Sequence, residues 1–299
     1  MTDIERVGVV GCGLMGAGIA EVCARAGVPV TVAERDAEAA RAGLLRITRS
    51  LDRATRHGRL TAQERDTATG LITVTDEIEA LRDHDLVIEA VAEDEALKLD
   101  VFARLDSVIT GDRTILATNT SSIPVIRLAA ATGRPDRVVG VHFFNPVPVL
   151  RLVELVPSLL TSPTTAARAE AFVTTTLGKE VVRTRDKAGF VVNALLVPYL
   201  LAAVRMVESG SATVEDVDRG MVLGCAHPLG PLALTDLIGL DTTRAIAESL
   251  YAEFREPQYS PPPLLSRMVE AGLLGRKSGR GFHTYDERHR EGATAAGPT

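Results

Sequence analysis

The sequence predicts an α/β fold: an amino-terminal domain built on a parallel sheet, followed by a domain made only of helices. Three observations predict it. Residues 7–21, VGVVGCGLMGAGIAE, read as a short apolar strand, a glycine-rich turn and a helix of small residues. Short apolar runs at Val28–Ala33, Leu71–Val74, Asp85–Glu89, Thr114–Ala117 and Val138–Phe144 then alternate with helical patterns, the form taken by successive βαβ units. From Phe190 onward the pattern is helical throughout.

The glycine turn carries the most specific chemistry. Gly11, Gly13 and Gly16 give G-x-G-x-x-G, where the first allows a tight turn, the second lets a pyrophosphate approach the backbone, and the third lets helix and strand pack closely. Leu14 and Met15 open the helix, whose N-terminal N–H groups and dipole favour phosphate. Such a motif alone is weak evidence. Its context is complete here, because the second strand ends at Glu34, eighteen residues after Gly16, where a carboxylate can accept both hydroxyls of an adenosine ribose. A Rossmann-type domain is therefore expected, with NAD favoured over NADP. Arg35 beside Glu34 softens that preference.

Composition excludes several other classes. A chain of 299 residues with 45% hydrophobic and 24% charged residues has the balance of a folded two-domain protein. A net charge of −6 argues against general nucleic-acid binding, which needs a basic face. MTDIER before the first strand leaves no room for a signal core, and no apolar run reaches membrane-spanning length. Cys12, Cys23 and Cys225 show no C-x-x-C spacing, which suits reduced thiols in a cytoplasm, and Cys12 reads as small filler within the loop. The histidines make no metal-ligand spacing, so no metal is expected.

Taking the chain in order, Ala37 to about His57 is helical and places Arg46, Arg49, Arg53 and Arg56 on one face. That face is either solvated or a patch for a phosphorylated substrate. Thr61–Thr69 is a short helix, and Glu93–Leu105 is a helix that carries Lys98. The strand ending at Ala117 runs into Thr118–Ser122, at the strand end where open α/β sheets bind ligands. Taken alone, Ser121 and Ser122 read as turn or capping residues. Val138–Phe144 delivers His142, and Leu150–Val156 carries Glu154; a hairpin can bring the two together, although no tight two-residue turn joins them. Lys179–Arg183 is a last strand and 185–189 the junction. Domains are expected at 1–185 and 186–285, with a disordered tail at 286–299. In the second, helices are expected at Phe190–Glu208, Val214–Leu223, Leu232–Ile238 and Thr242–Phe254, and a last one ends near Ala271. The Phe190–Glu208 segment is apolar on nearly every side, so one side is expected to need a partner chain, giving a homodimer.

The segments GCGLMGAGIA, ATNTSSIPV, GVHFFNPVPVLRLVELV, GFVVNALLVPYL, LGCAHPLGPLALTDLIGLDT and GRKSGRGF resemble the L-3-hydroxyacyl-CoA dehydrogenases, above all the short 3-hydroxybutyryl-CoA dehydrogenases of bacteria. The resemblance covers about residues 4 to 285. It implies His142 as catalytic histidine, Glu154 as its partner, Ser121 near the substrate and nicotinamide, and Asn193 in the substrate pocket. It also implies Glu93, Lys98, Asn145 and Lys277 at the cofactor, with Lys98 between cofactor and acyl-CoA. Ser50 falls at a coenzyme A-contacting position. Arg53, Arg56 and His57 lie nearby, the last two where a CoA-binding lysine is often found. Asp186-Lys-Ala-Gly189 also departs from the family, many of whose members have proline before the glycine.

The chemistry needs these residue types. Oxidising a secondary alcohol takes a hydride acceptor and a base, and an imidazole titrating near neutrality suits the base. A carboxylate on its other nitrogen fixes the tautomer. The implied reaction is hydride transfer between NAD(H) and C3 of a short (3S)-3-hydroxyacyl-CoA. A dehydrogenase of the same fold acting on an acyl-carrier-protein thioester or a sugar acid, and a non-catalytic NAD-binding protein, remain as alternatives.

Overall fold

The computed structural model describes residues 3–286. The first apolar run becomes β1 (Val7–Val10), buried at every position, and the glycine turn delivers it into α1 (Leu14–Arg25). Strand β2 (Val30–Ala33) starts two residues later than expected, just after Pro29, which has no N–H to donate to a ladder. Asp36 caps α2 (Ala37–Arg56) by accepting the Ala39 N–H, and Thr61 with Glu64 forms a capping box on α3 (Ala62–Gly70). Then come β3 (Ile72–Thr75), β4 (Leu86–Glu89), α4 (Glu95–Val108) and β5 (Ile115–Thr118). Helix α5 (Val125–Ala130) leads to β6 (Val138–Phe143) and β7 (Leu152–Val156), and α6 (Pro163–Ala171) to β8 (Glu180–Arg183).

The eight strands form one sheet in the order β3-β2-β1-β4-β5-β6-β7-β8. Every neighbouring pair is parallel except β6 and β7. The order reverses between β1 and β4, and the crevice beyond the carboxyl ends of such strands is where ligands bind. Near-continuous apolar runs in β1, β4 and β5 follow from burial on both faces.

The chain divides into two units after Lys187. In the second, Phe190 takes a left-handed φ of 50°, so the long helix α7 (Val192–Glu208) begins two residues later than expected. Helices α8 (Val214–Cys225), α9 (Pro231–Ile238), α10 (Leu240–Phe254) and α11 (Pro263–Glu270) complete the unit. Val197, Leu201, Val204, Leu232, Ile246 and Leu250 form its core. Asp236 fastens the basic loop that follows α11, accepting the N–H groups of Phe282 and His283 and the Tyr285 hydroxyl. The tail expected to be disordered falls, from 287 on, outside the described residues.

Candidate active site

The glycine turn has the geometry of a cradle. Gly11 sits at φ +91°, and a Cβ there would stand 2.9 Å from the Ala90 carbonyl oxygen. A Cβ on Gly16 would stand 1.9 Å from the Gly11 carbonyl oxygen, while nothing lies within 4 Å of the same point on Gly13. No side chain caps the first turn of α1, so its N–H groups remain available to an anion. The loop lines a cleft of about 480 Å³ together with Ala33, Glu34, Arg35 and Arg46. Leu14 is exposed and Met15 half-buried. Glu34 accepts the Cys12 N–H at 2.6 Å and the Arg35 N–H at 3.1 Å. Burial, reinforced by the Glu34 charge, pushes the Cys12 thiol up to about 12, so it stays protonated, as filler. Open space over Gly13, uncapped helical N–H groups and a carboxylate at the end of β2 fit a dinucleotide.

Three strands along, β6 carries His142 and β7 carries Glu154. Antiparallel register sets them directly opposite, so the missing two-residue turn is no obstacle. Their connection contains a cis Asn145–Pro146 bond, and Asn145 is exposed. His142 Nδ1 lies 2.8 Å from Glu154 Oε2, with His142 6% and Glu154 0% exposed. Phe144 packs on the imidazole with ring centroids 4.6 Å apart.

Ser121 lies in the loop after β5, and Glu93 organises that loop. One carboxylate oxygen of Glu93 accepts from the Thr120 hydroxyl at 2.6 Å, from the Ser121 and Ser122 N–H groups at 2.9 and 3.1 Å, and from the Ser121 and Ser122 hydroxyls at 3.3 and 2.9 Å. Burial pushes its carboxyl up, but the Lys98 ammonium and these donors outweigh burial and hold it below the usual carboxylate range. Lys98 is 1% exposed, with its ammonium 2.5 Å from Glu89 and 3.3 Å from Glu93. Its ammonium is enclosed between the two carboxylates rather than displayed. Glu89, fully buried, also accepts from Thr118 at 2.7 Å. In the sequence Glu89 is only the last residue of a strand. A charged residue closing an otherwise apolar buried run is the signal that could have found it.

The arginine face of α2 divides. Arg46 turns to the glycine loop, donates to the Cys12 carbonyl and lines the same cleft as that loop. Ten residues of helix rise about 15 Å, so Arg56 lies far from it on the same face. Arg49, Arg56 and His57 are exposed and Arg53 is half-buried. Burial raises the Glu21 carboxyl of α1, and the Ser50 hydroxyl and the Arg25 guanidinium, the latter 3.2 Å away, act against that rise. In the second unit, Asn193 lies half-buried in the first turn of α7, and Lys277 pairs with Asp241 at 2.6 Å.

Residues 6–187 match the model for the 3-hydroxyacyl-CoA dehydrogenase NAD binding domain, and residues 189–285 match the C-terminal domain of the same family. The chain belongs to the 3-hydroxyacyl-CoA dehydrogenase family. It is thus an NAD-dependent oxidoreductase, with its NAD-binding domain in the first unit. Among its relatives is a 3-hydroxybutyryl-CoA dehydrogenase of Mycobacterium tuberculosis, 62% identical over 95% of this chain and 100% of that protein. The mitochondrial hydroxyacyl-coenzyme A dehydrogenase of Mus musculus is 40% identical over 94% of this chain and 91% of that one. The crystal structure of (S)-3-hydroxybutyryl-CoA dehydrogenase from Ralstonia eutropha superposes with a TM-score of 0.90 at 44% identity, covering 95% of this chain and 100% of that one. Among the described residues, no helix of this dehydrogenase is long and apolar enough to cross a membrane.

Proposed function

We propose that this dehydrogenase acts on short-chain (3S)-3-hydroxyacyl-CoA, with 3-hydroxybutyryl-CoA as the representative substrate, and that His142 moves the hydroxyl proton. The observation that carries this reading is the buried His142–Glu154 pair, 2.8 Å apart at the carboxyl end of β6. NAD supplies the hydride acceptor. An ionised carboxylate can only accept, so a Glu154 carboxylate keeps the proton on Nδ1 and leaves proton exchange to Nε2. His142 is then the base in alcohol oxidation and the acid in ketone reduction. Ser121 holds the substrate oxygen, and Asn193 donates toward the thioester carbonyl. Gly11, Gly13, Gly16, Glu34, Glu93, Asn145 and Lys277 hold the cofactor. Ser50, Arg53, Arg56 and His57 face the coenzyme A phosphates.

The protein works in the cytoplasm as a homodimer. Helix α7 buries Val197, Leu200, Leu201 and Val204 but leaves Leu195 72% and Met206 47% exposed, and Leu223 of α8 is 72% exposed. These exposed apolar side chains support a dimer in which a second copy covers them.

The test is a panel of 3-oxoacyl-CoA lengths with NADH and NADPH, followed by NADH absorbance. The highest kcat/KM is expected with four-carbon acetoacetyl-CoA and NADH, and Glu34→Ala should narrow the gap to NADPH. A preference for long chains, or for a carrier-protein thioester, would overturn the substrate reading.

A further inference from the structure

Asn119 separates the end of β5 from Ser121. Its backbone N–H donates to the Glu89 carbonyl at 2.9 Å, extending the β4–β5 ladder by one bond. Its side chain turns to the other neighbour: Oδ1 accepts the Phe143 N–H at 2.9 Å. Phe143 follows His142 directly in β6 and is 1% exposed. The paired register of β5 and β6 ends with Thr118 opposite Gly140, so the Asn119 amide supplies the bond between these segments where the ladder has stopped. On its other flank the loop is fixed from both ends. Thr118 donates to Glu89 at 2.7 Å, and Thr120 donates to Glu93 at 2.6 Å. Asn119 therefore joins an anchored loop carrying Ser121 to the strand end carrying His142.

We propose that Asn119 is a positioning residue for proton transfer, whose amide oxygen sets the His142 end of β6 against the Ser121 loop. The proposal rests on His142 being the proton-transfer residue. An error on the order of 1 Å in such a geometry can cost about 10²-fold in rate. The role belongs to the acceptor oxygen, so it separates two substitutions of similar position and unlike chemistry. Asn119→Asp keeps an oxygen for the Phe143 N–H, whereas Asn119→Ala removes it.

The experiment measures kcat, the KM for acetoacetyl-CoA, the Kd for NADH and the melting temperature of both variants, with His142→Gln alongside. Asn119→Ala is expected to lose about tenfold or more in kcat with NADH binding within about twofold, and Asn119→Asp to recover most of that loss. A kcat within twofold of the parent in folded Asn119→Ala overturns the proposal, as does an Asp variant that folds and is as slow as Ala. A purely structural role would lower the melting temperature and leave kcat intact. Should Asn119→Ala fail to fold, Asn119→Asp decides: a kcat within about threefold of the parent supports the role, and a larger loss overturns it. Full activity in His142→Gln would instead overturn the catalytic reading beneath it.

Discussion

Two buried pairs lie near the carboxyl ends of the central strands, and they are built differently. His142 and Glu154 face each other across adjacent antiparallel strands, 2.8 Å apart. Lys98 and Glu89 meet between helix α4 and the end of β4, 2.5 Å apart and 1% and 0% exposed. The first joins an imidazole, which has one nitrogen to donate and one to accept, to a carboxylate that can only accept. The second joins a strong cation to a carboxylate and surrounds both with further partners. It fixes structure and lends charge to Glu93. Burial and a carboxylate partner are thus common to both pairs; the chemical type of the partner tells them apart.

Breaking the second pair should cost most in stability. Lys98→Met leaves Glu89 buried without its cation, and the expected loss is about 3–5 kcal/mol in urea unfolding. Lys98→Met with Glu89→Leu should regain part of it, because the fully buried Glu89 charge is gone while Glu93 still lacks its Lys98 partner. A single variant that loses less than about 1 kcal/mol would show that water or a shift of Glu89 relieves the pair.

The two pairs also differ in how far the sequence reveals them. His142 and Glu154 each fall on a recognisable apolar strand, and antiparallel pairing needs only a short connection, but it is the family resemblance that singles the two out. The glycine turn is legible by itself: its chemistry is local, confined to six residues and the next strand end. Glu89 hides because its role appears only once α4 folds back to present Lys98. Helices α5 and α6 are not among the elements the sequence predicts. The six residues of α5 are too few to show a periodicity. Ser162 before Pro163 is an N-cap followed by proline at the first helical position, so α6 was open to discovery by its start signal. The arginine face of α2 misleads in another way. Spacing places the four side chains on one face but does not reveal that the glycine loop ends partway along it.

That division of α2 gives a smaller, sharper effect. Arg53→Ala and Arg56→Ala should raise the KM for acyl-CoA several-fold, less so at high salt, and leave a truncated thioester lacking the nucleotide unaffected. Arg46→Ala should instead weaken NADH in a fluorescence titration. An Arg46→Ala protein with unchanged NADH affinity would return Arg46 to the solvated face.

The smallest effect lies in pH. Glu93 has a folded pKa below its ordinary 4.5, so its contribution to stability is present above that value and fades as pH falls through the folded one. Acid unfolding followed by circular dichroism should therefore be less steep below about pH 4.5 in Glu93→Gln than in the parent. Identical acid limbs would mean that the serine loop does not depend on the Glu93 charge.

In the proposed reaction His142 and Glu154 act as one proton-transfer unit, and a mutant cycle measures their coupling. Steady-state kcat for acetoacetyl-CoA reduction would be determined for His142→Gln, Glu154→Gln and the double variant, with NADH binding as control. His142→Gln should lose about 10²–10⁴-fold in kcat with NADH binding nearly intact. The double variant should be little worse than the slower single one, because groups that work as a unit are not additive. Losses that multiply in the double variant would contradict the account, and full activity in His142→Gln would end it.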